Sequence, residues 1–236
     1  MSKTARGAAK LAVKTGIAAL AIMGLITPAH ANPASETTAQ AKPADETTAT
    51  VIPNRVMSWN SNGQKLSTPQ DIVNHIKRYR PQLVLLQESC RNEVHKAVQM
   101  LKQAGLQYDH QPGPASTNFA CGGWGNPLGQ SILYAKGTPL QRYREVEYSD
   151  DEGPFEYRAY ATFTTRLAGQ RVQVFNTQLS WGPYHVERGK QVMELASATR
   201  RYGPTLVAGD LNAQPSDKEM RPLWQAGLSD VDPFCR

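Results

Sequence analysis

The chain has 236 residues, 40% of them apolar and 19% charged, which is enough to bury a sizeable core and excludes a wholly disordered or fibrous protein. Lys and Arg number 26 against 20 Asp and Glu, but Lys3, Arg6, Lys10 and Lys14 crowd an N-terminus that holds no acidic residue, leaving 22 against 20 elsewhere. A remainder so close to neutral argues against a strongly basic nucleic-acid-binding surface as the basis of function.

In chain order, the first 31 residues read as a leader. A basic stretch precedes the apolar run Thr15 to Leu25, which is too short to span a bilayer with ease, and Ala29-His30-Ala31 follows as an A-x-A cleavage site. A retained membrane anchor is the alternative, but the cleavage site favours export to the periplasm or the exterior. Residues 32–50 hold two copies of a Pro-Ala-x-Glu-Thr-Thr-Ala segment, beginning at Pro33 and Pro43, and lack aromatics altogether. Such a segment cannot bury enough surface to offset its ordering entropy, so it reads as a disordered linker. One domain is then expected over residues 51–236.

Within that domain strands and helices alternate. Arg55 to Trp59 reads as a strand, and Ser67-Thr68-Pro69 provides an N-cap and an early proline for a helix that Pro81 ends near Arg80. Leu83-Val84-Leu85-Leu86 is an unbroken apolar run, as expected of a strand covered on both faces. A helix from about Arg91 to Ala104 stops at Gly105. Strands follow at Gln130 to Tyr134, Tyr143 to Tyr148, Tyr157 to Thr164 and Arg171 to Thr177, the last two joined as a hairpin through Leu167-Ala168-Gly169-Gln170. A helix over about Tyr184 to Arg201, a buried strand at Thr205 to Ala208 and a short helix capped by Ser216 complete the reading. Consecutive strands point to antiparallel pairing, so a purely parallel sheet is excluded.

Polar side chains collect at the strand ends. Asn60 closes the first strand, Glu88 follows the Leu83 run, Asn176 closes the hairpin strand, and Asp210 and Asn212 follow Thr205-Leu206-Val207-Ala208-Gly209. Converging carboxylate and amide oxygens suit a hard cation such as Mg2+ or Ca2+. A cation held there can polarise a phosphoryl oxygen and stabilise a leaving oxygen. Taken singly, each of these residues is more simply a turn former or a cap.

The blocks MSWN (Met57 to Asn60), PQLVLLQES (Pro81 to Ser89), GQSILYAK (Gly129 to Lys136), FNTQLSW (Phe175 to Trp181) and VAGDLNAQPSD (Val207 to Asp217) resemble, in order, those of the endonuclease/exonuclease/phosphatase, or DNase I-like, superfamily. The resemblance implies an α/β fold of two packed sheets between helices, a four-layer αββα sandwich. It implies that Glu88 is the principal metal ligand, with Asn60 and Asp210 also at the metal. The metal would be Mg2+, with Mn2+ or Ca2+ as alternatives. Asp210 would orient or activate the attacking water, Asn212 and Arg158 would hold phosphate oxygens, and Asn176 and Gln178 would complete the catalytic group. The substrate would be a phosphate ester: a nucleic acid, a phospholipid head group or a small phosphoester. No stable protein partner is implied, and no transmembrane segment remains after leader cleavage.

Two positions depart from the family pattern. Where relatives read Asn-Thr-His-Leu this chain has Gln178, whose amide donates a hydrogen bond but cannot supply a proton near neutral pH. Nor does Asp232-Pro233-Phe234-Cys235-Arg236 carry the family's closing Ser-Asp-His block, so the final strands are expected to be missing and a sheet neighbour left unpaired. An inactive member of the superfamily that serves as a binding domain is therefore the alternative. His75 and His95 are placed on helices and His110 and His185 in loops. Cys90, Cys121 and Cys235 allow one disulfide and leave one thiol.

Overall fold

The computed structural model describes residues 10–14, 50–63, 65–117, 119–150 and 156–232. The apolar stretch of the leader, its cleavage site, most of the linker and Cys235 lie outside them.

Near the start of the domain, Ile52–Asn60 (β2) runs parallel to Pro81–Cys90 (β3), and the helix between them, Pro69–Tyr79 (α1), makes the crossover. Thr68 is the N-cap: its hydroxyl accepts from the Asp71 N–H while the Asp71 carboxylate accepts from the Thr68 N–H, a capping box that satisfies two orphan donors. Arg80 ends the helix in the left-handed region, at φ 45°.

Arg91–Gln103 (α2) leads to Tyr108–Thr117 (β4), which pairs with Leu128–Ala135 (β5), and β5 pairs with β3, giving the order β2-β3-β5-β4. A second sheet holds Gln141–Glu147 (β6), Ala159–Leu167 (β7), Gln170–Gln178 (β8) and Thr205–Asp210 (β9). His185–Thr199 (α3), Arg221–Gln225 (α4) and Leu228–Asp230 (β10) complete the chain order. Lys10–Lys14 (β1) is a strand between β9 and β10, antiparallel to both, so this sheet reads β10-β1-β9-β8-β7-β6. One sheet neighbour was expected to be left unpaired; among the described residues β9 and β10 are both paired with Lys10–Lys14, from the stretch read as leader.

Three apolar clusters stack the layers. Leu83 and Leu85 of β3 face Phe163, Val174 and Leu206 between the sheets, while Val84 and Leu86 face Ile72, Ile76, Val94 and Leu101 of α1 and α2. The unbroken apolar run of β3 is therefore covered on both faces, as its sequence predicts. Phe175 and Val207 pack on the far side against Val192, Leu195 and Leu223 of α3 and α4. The result is the αββα sandwich. Among the described residues no helix is long and apolar enough to cross a membrane.

Some elements differ from the sequence reading. His110 lies in β4, not in a loop, and His185 is the first residue of α3. The Pro112-Gly113-Pro114 break hid β4, which tolerates prolines because it is the edge strand of its sheet. Ser216 does not cap a single helix: a 3-10 turn, Lys218–Met220, starts after Asp217 and passes into α4. Cys90 and Cys121 form a disulfide that closes 31 residues and contributes about 3–4 kcal/mol in the loop-entropy picture.

His110 gives a pH dependence. Its Nε2 is buried with no hydrogen-bond partner among the described residues; burial first, then the charges of His95 and Arg91, push its pKa down from 6.5 to about 4. As pH falls through this window the unfolded chain takes up a proton that the folded protein refuses, so stability is lost from about pH 6.5 down to about 4. The loss should total about 3 kcal/mol. Urea midpoints measured across this range should flatten in His110→Phe, and an identical slope in that variant would clear His110 of the effect.

Candidate active site

The site lies where β2, β3, β8 and β9 end together. β3 carries a register shift between Leu86 and Ser89, and within it Glu88 adopts φ 49°. A non-glycine residue in the left-handed region persists only where its surroundings hold it. Here the Glu88 carbonyl accepts from the Gly63 N–H at 2.7 Å and from the Ser61 hydroxyl at 3.2 Å. A Cβ on Gly63 would approach both the Glu88 carbonyl oxygen and the Cys90 nitrogen at 3.0 Å, so the loop needs glycine to come this close. The bulge turns the Glu88 carboxylate toward β9.

Asn60 joins the two acidic groups. Its Nδ2 donates to Glu88 Oε1 at 3.0 Å and to Asp210 Oδ2 at 2.8 Å, while its Oδ1 accepts from the Asn62 N–H at 3.1 Å. One amide nitrogen thereby holds together carboxylates 122 residues apart in sequence. Asp210 is buried, and its Oδ1 accepts from the Asn212 N–H at 3.1 Å. Gln178 Nε2 donates to Glu88 Oε1 at 2.6 Å. Both amide donors, from Asn60 and from Gln178, thus meet the same Glu88 oxygen, Oε1.

The other expected residues stand around this centre in supporting positions. Asn212, at φ 48°, gives its Nδ2 to the Leu179 carbonyl at 2.8 Å, which locks the turn after β9. Asn176 is fully buried: its Oδ1 accepts from Gln87 Nε2 at 2.6 Å and its Nδ2 donates to the Leu86 carbonyl at 3.2 Å. It therefore ties β8 to β3 beneath the site. Arg158 is also buried and forms an ion pair with Glu156 at 2.6 Å. Gln87 stands in the Pro81 to Ser89 block, but nothing in the sequence marks it as the partner of Asn176, and Ser61 and Gly63 sit in a polar loop without a distinguishing pattern.

The donor set fits Mg2+. This ion keeps several waters and takes one or two carboxylates plus substrate oxygens, and Glu88 with Asp210 provides two carboxylates in reach of one another. No group of three or more His, Cys, Asp or Glu occurs among the described residues, so an all-protein cage is not formed. A broad, open surface hollow lined by Val51, Gln82, Gly105, Lys136 and Arg166 contains none of these residues. The polar strand ends define the site.

Two stacked sheets between helices thus carry paired carboxylates at the ends of inner strands. The Endonuclease/Exonuclease/phosphatase family matches residues 57–235, and the chain belongs to it. No curated protein sequence matches the chain. Among solved structures it is similar to the human Nocturnin catalytic domain, at 19% identity over 72% of this chain and 68% of that one, with a TM-score of 0.55. Sphingomyelinase C from Streptomyces griseocarneus is 18% identical over 75% of this chain and 70% of its own, with a TM-score of 0.55. TDP2 from Caenorhabditis elegans is 21% identical over 67% of this chain, with a TM-score of 0.53, and the chain spans 47% of that protein's length. Likenesses at this identity establish the fold.

Proposed function

We propose that the protein is an exported, divalent-metal-dependent phosphodiesterase or phosphatase. The observation that carries this reading is the single Asn60 nitrogen bonded to both Glu88 and Asp210, which sets two carboxylates side by side at the strand ends. Glu88 and Asp210 would hold Mg2+, which when bound supplies charge to the phosphoryl and leaving oxygens. Asp210, oriented by Asn60 and by the Asn212 N–H, accepts a proton from the attacking water. Gln178 keeps the Glu88 carboxylate aimed, and the Gln87–Asn176 bond fixes β8 against β3 below them. Export is supported by the Cys90–Cys121 disulfide, since such bonds persist in oxidising compartments, and by the leader pattern, although cleavage after Ala31 would remove Lys10–Lys14 from its place between β9 and β10.

The substrate is a phosphate ester: a nucleic acid, a phospholipid head group or a small phosphoester. The near-neutral charge outside the N-terminus favours a substrate other than long duplex DNA. One observation favours the second reading, an inactive binding domain. Gln178 replaces the imidazole of relatives and spends its amide on Glu88. Hydrolysis of bis-p-nitrophenyl phosphate decides between them. The proposed enzyme turns it over with Mg2+ or Mn2+ and stops with EDTA; no turnover with Mg2+, Mn2+ or Ca2+ would leave the binding domain.

A further inference from the structure

Gln178 has a second neighbour that the active-site geometry does not use. A small cavity with room for one water-sized molecule is bounded by Gln178 and Gln130 together with Pro114, Ala115, Ser116, Tyr157 and Ala159. Gln130 and Gln178 are 6% and 4% exposed, and among the described residues Gln130 Oε1 and Gln178 Oε1 are buried without a hydrogen-bond partner. Neither amide can be turned to remove the problem. Gln178 Nε2 donates to Glu88 Oε1 at 2.6 Å, and Gln130 Nε2 donates to the Ala159 carbonyl at 2.7 Å. Flipping either side chain would set an oxygen against an oxygen.

Both amides line one cavity, and the carbonyl oxygen of each is buried without a partner among the described residues. Among its walls, Pro114 has no N–H, the Ser116 hydroxyl donates to the Leu128 carbonyl at 3.2 Å, and the Tyr157 N–H donates to the Ser116 carbonyl at 3.2 Å. A buried acceptor without a donor is costly, and a polar cavity of this size with two acceptors meets the requirements for a bound solvent molecule.

We infer that Gln130 and Gln178 form a site for one small molecule that donates two hydrogen bonds, a water, and that Gln130 acts through it as a positioning residue for the Gln178 amide. The chain of contacts runs from the Ala159 carbonyl through Gln130, the water and Gln178 to Glu88. By fixing the Gln178 oxygen, the water keeps the Gln178 nitrogen on the carboxylate. The site rests on the catalytic reading only for its effect on rate; the binding of the water stands on the two oxygens alone.

Gln130→Met is the test, because it keeps the shape of the side chain and removes the acceptor. The Ala159 carbonyl is not orphaned by it, since the Thr177 hydroxyl also donates there at 3.2 Å. A high-resolution crystal structure of the wild-type protein should show a solvent molecule within hydrogen-bond reach of both Oε1 atoms, and Gln130→Met should lose it. With bis-p-nitrophenyl phosphate, Gln130→Met should lower kcat about tenfold with KM changed less than about twofold, as for loss of one positioning interaction. Gln130→Leu repeats the comparison if the methionine variant does not fold. A dry cavity in the wild type, a protein donor on either oxygen, or an unchanged kcat in an active enzyme would overturn the proposal. If the wild type hydrolyses nothing, the functional reading fails on its own, and the crystallographic comparison still decides whether the water site exists.

Discussion

Glu88→Gln is expected to abolish the stabilisation of the protein by Mg2+ or Mn2+. The variant keeps an oxygen able to accept from Asn60 and Gln178, so the bulge in β3 and its contacts to Ser61 and Gly63 have no reason to change. What is lost is the charge facing the cation. For the wild type, a metal at about one hundred times its Kd adds about 2.7 kcal/mol, and a domain of this size gains about 2–4 °C in Tm per kcal/mol. A shift of about 5–10 °C should therefore vanish in the variant. Turnover should fall by about 10² to 10³, the usual effect of deleting one electrostatic contact to the reacting group. A metal-dependent shift equal to that of the wild type would remove Glu88 from the ligand set.

Gly209→Ala should leave no folded protein. Gly209 pairs with Thr177 in the parallel register of β8 and β9 and adopts φ 148°, and a Cβ there would stand 1.9 Å from the Thr177 carbonyl oxygen. Both the contact and the backbone angle exclude a side chain. Because the obstacle is backbone in the centre of a sheet, it cannot turn aside, and the cost should exceed about 4 kcal/mol, comparable with the whole stability of many domains. Gly189, inside α3, is the control: its nearest neighbour to a Cβ is a Glu219 side-chain carbon at 3.9 Å. Gly189→Ala should stabilise by up to about 1 kcal/mol through helix propensity. Circular dichroism melts separate these outcomes, and a cooperative transition in Gly209→Ala near that of the wild type would defeat the steric argument.

The parts of the site that could be read in the sequence are those where an apolar run delivers a polar residue to a strand end. Glu88 after Leu83 to Leu86, and Asp210 after Thr205 to Gly209, are examples, and the structure joins them through Asn60. The parts that could not be read depend on tertiary proximity. Gln130 sits in the middle of a strand with nothing local to mark it, and its neighbour Gln178 lies 48 residues further along. Asn176 was expected to close its strand, but β8 runs on to Gln178, and the Asn176 amide meets Gln87 of the facing sheet. β4 was hidden because its two prolines contradict strand propensity, which an edge position tolerates. Lys10 to Lys14 read as leader on charge and position, whereas their pairing with β9 and β10 depends on strands some two hundred residues away.

The disulfide extends the meaning of the active-site geometry to the chemistry of the surroundings. Cys90 follows Glu88 by two residues, and through Cys121 it fastens the loop that exposes the edge-to-face pair Phe119 and Trp124. The backbone that aims the carboxylate and the loop that displays two aromatic rings therefore share one covalent anchor. Breaking the bond would release both at once, together with the stability it contributes. Reduction is therefore expected to lower the melting temperature and to weaken any stabilisation by Mg2+, and equal metal-induced shifts with and without dithiothreitol would separate the loop from the carboxylate.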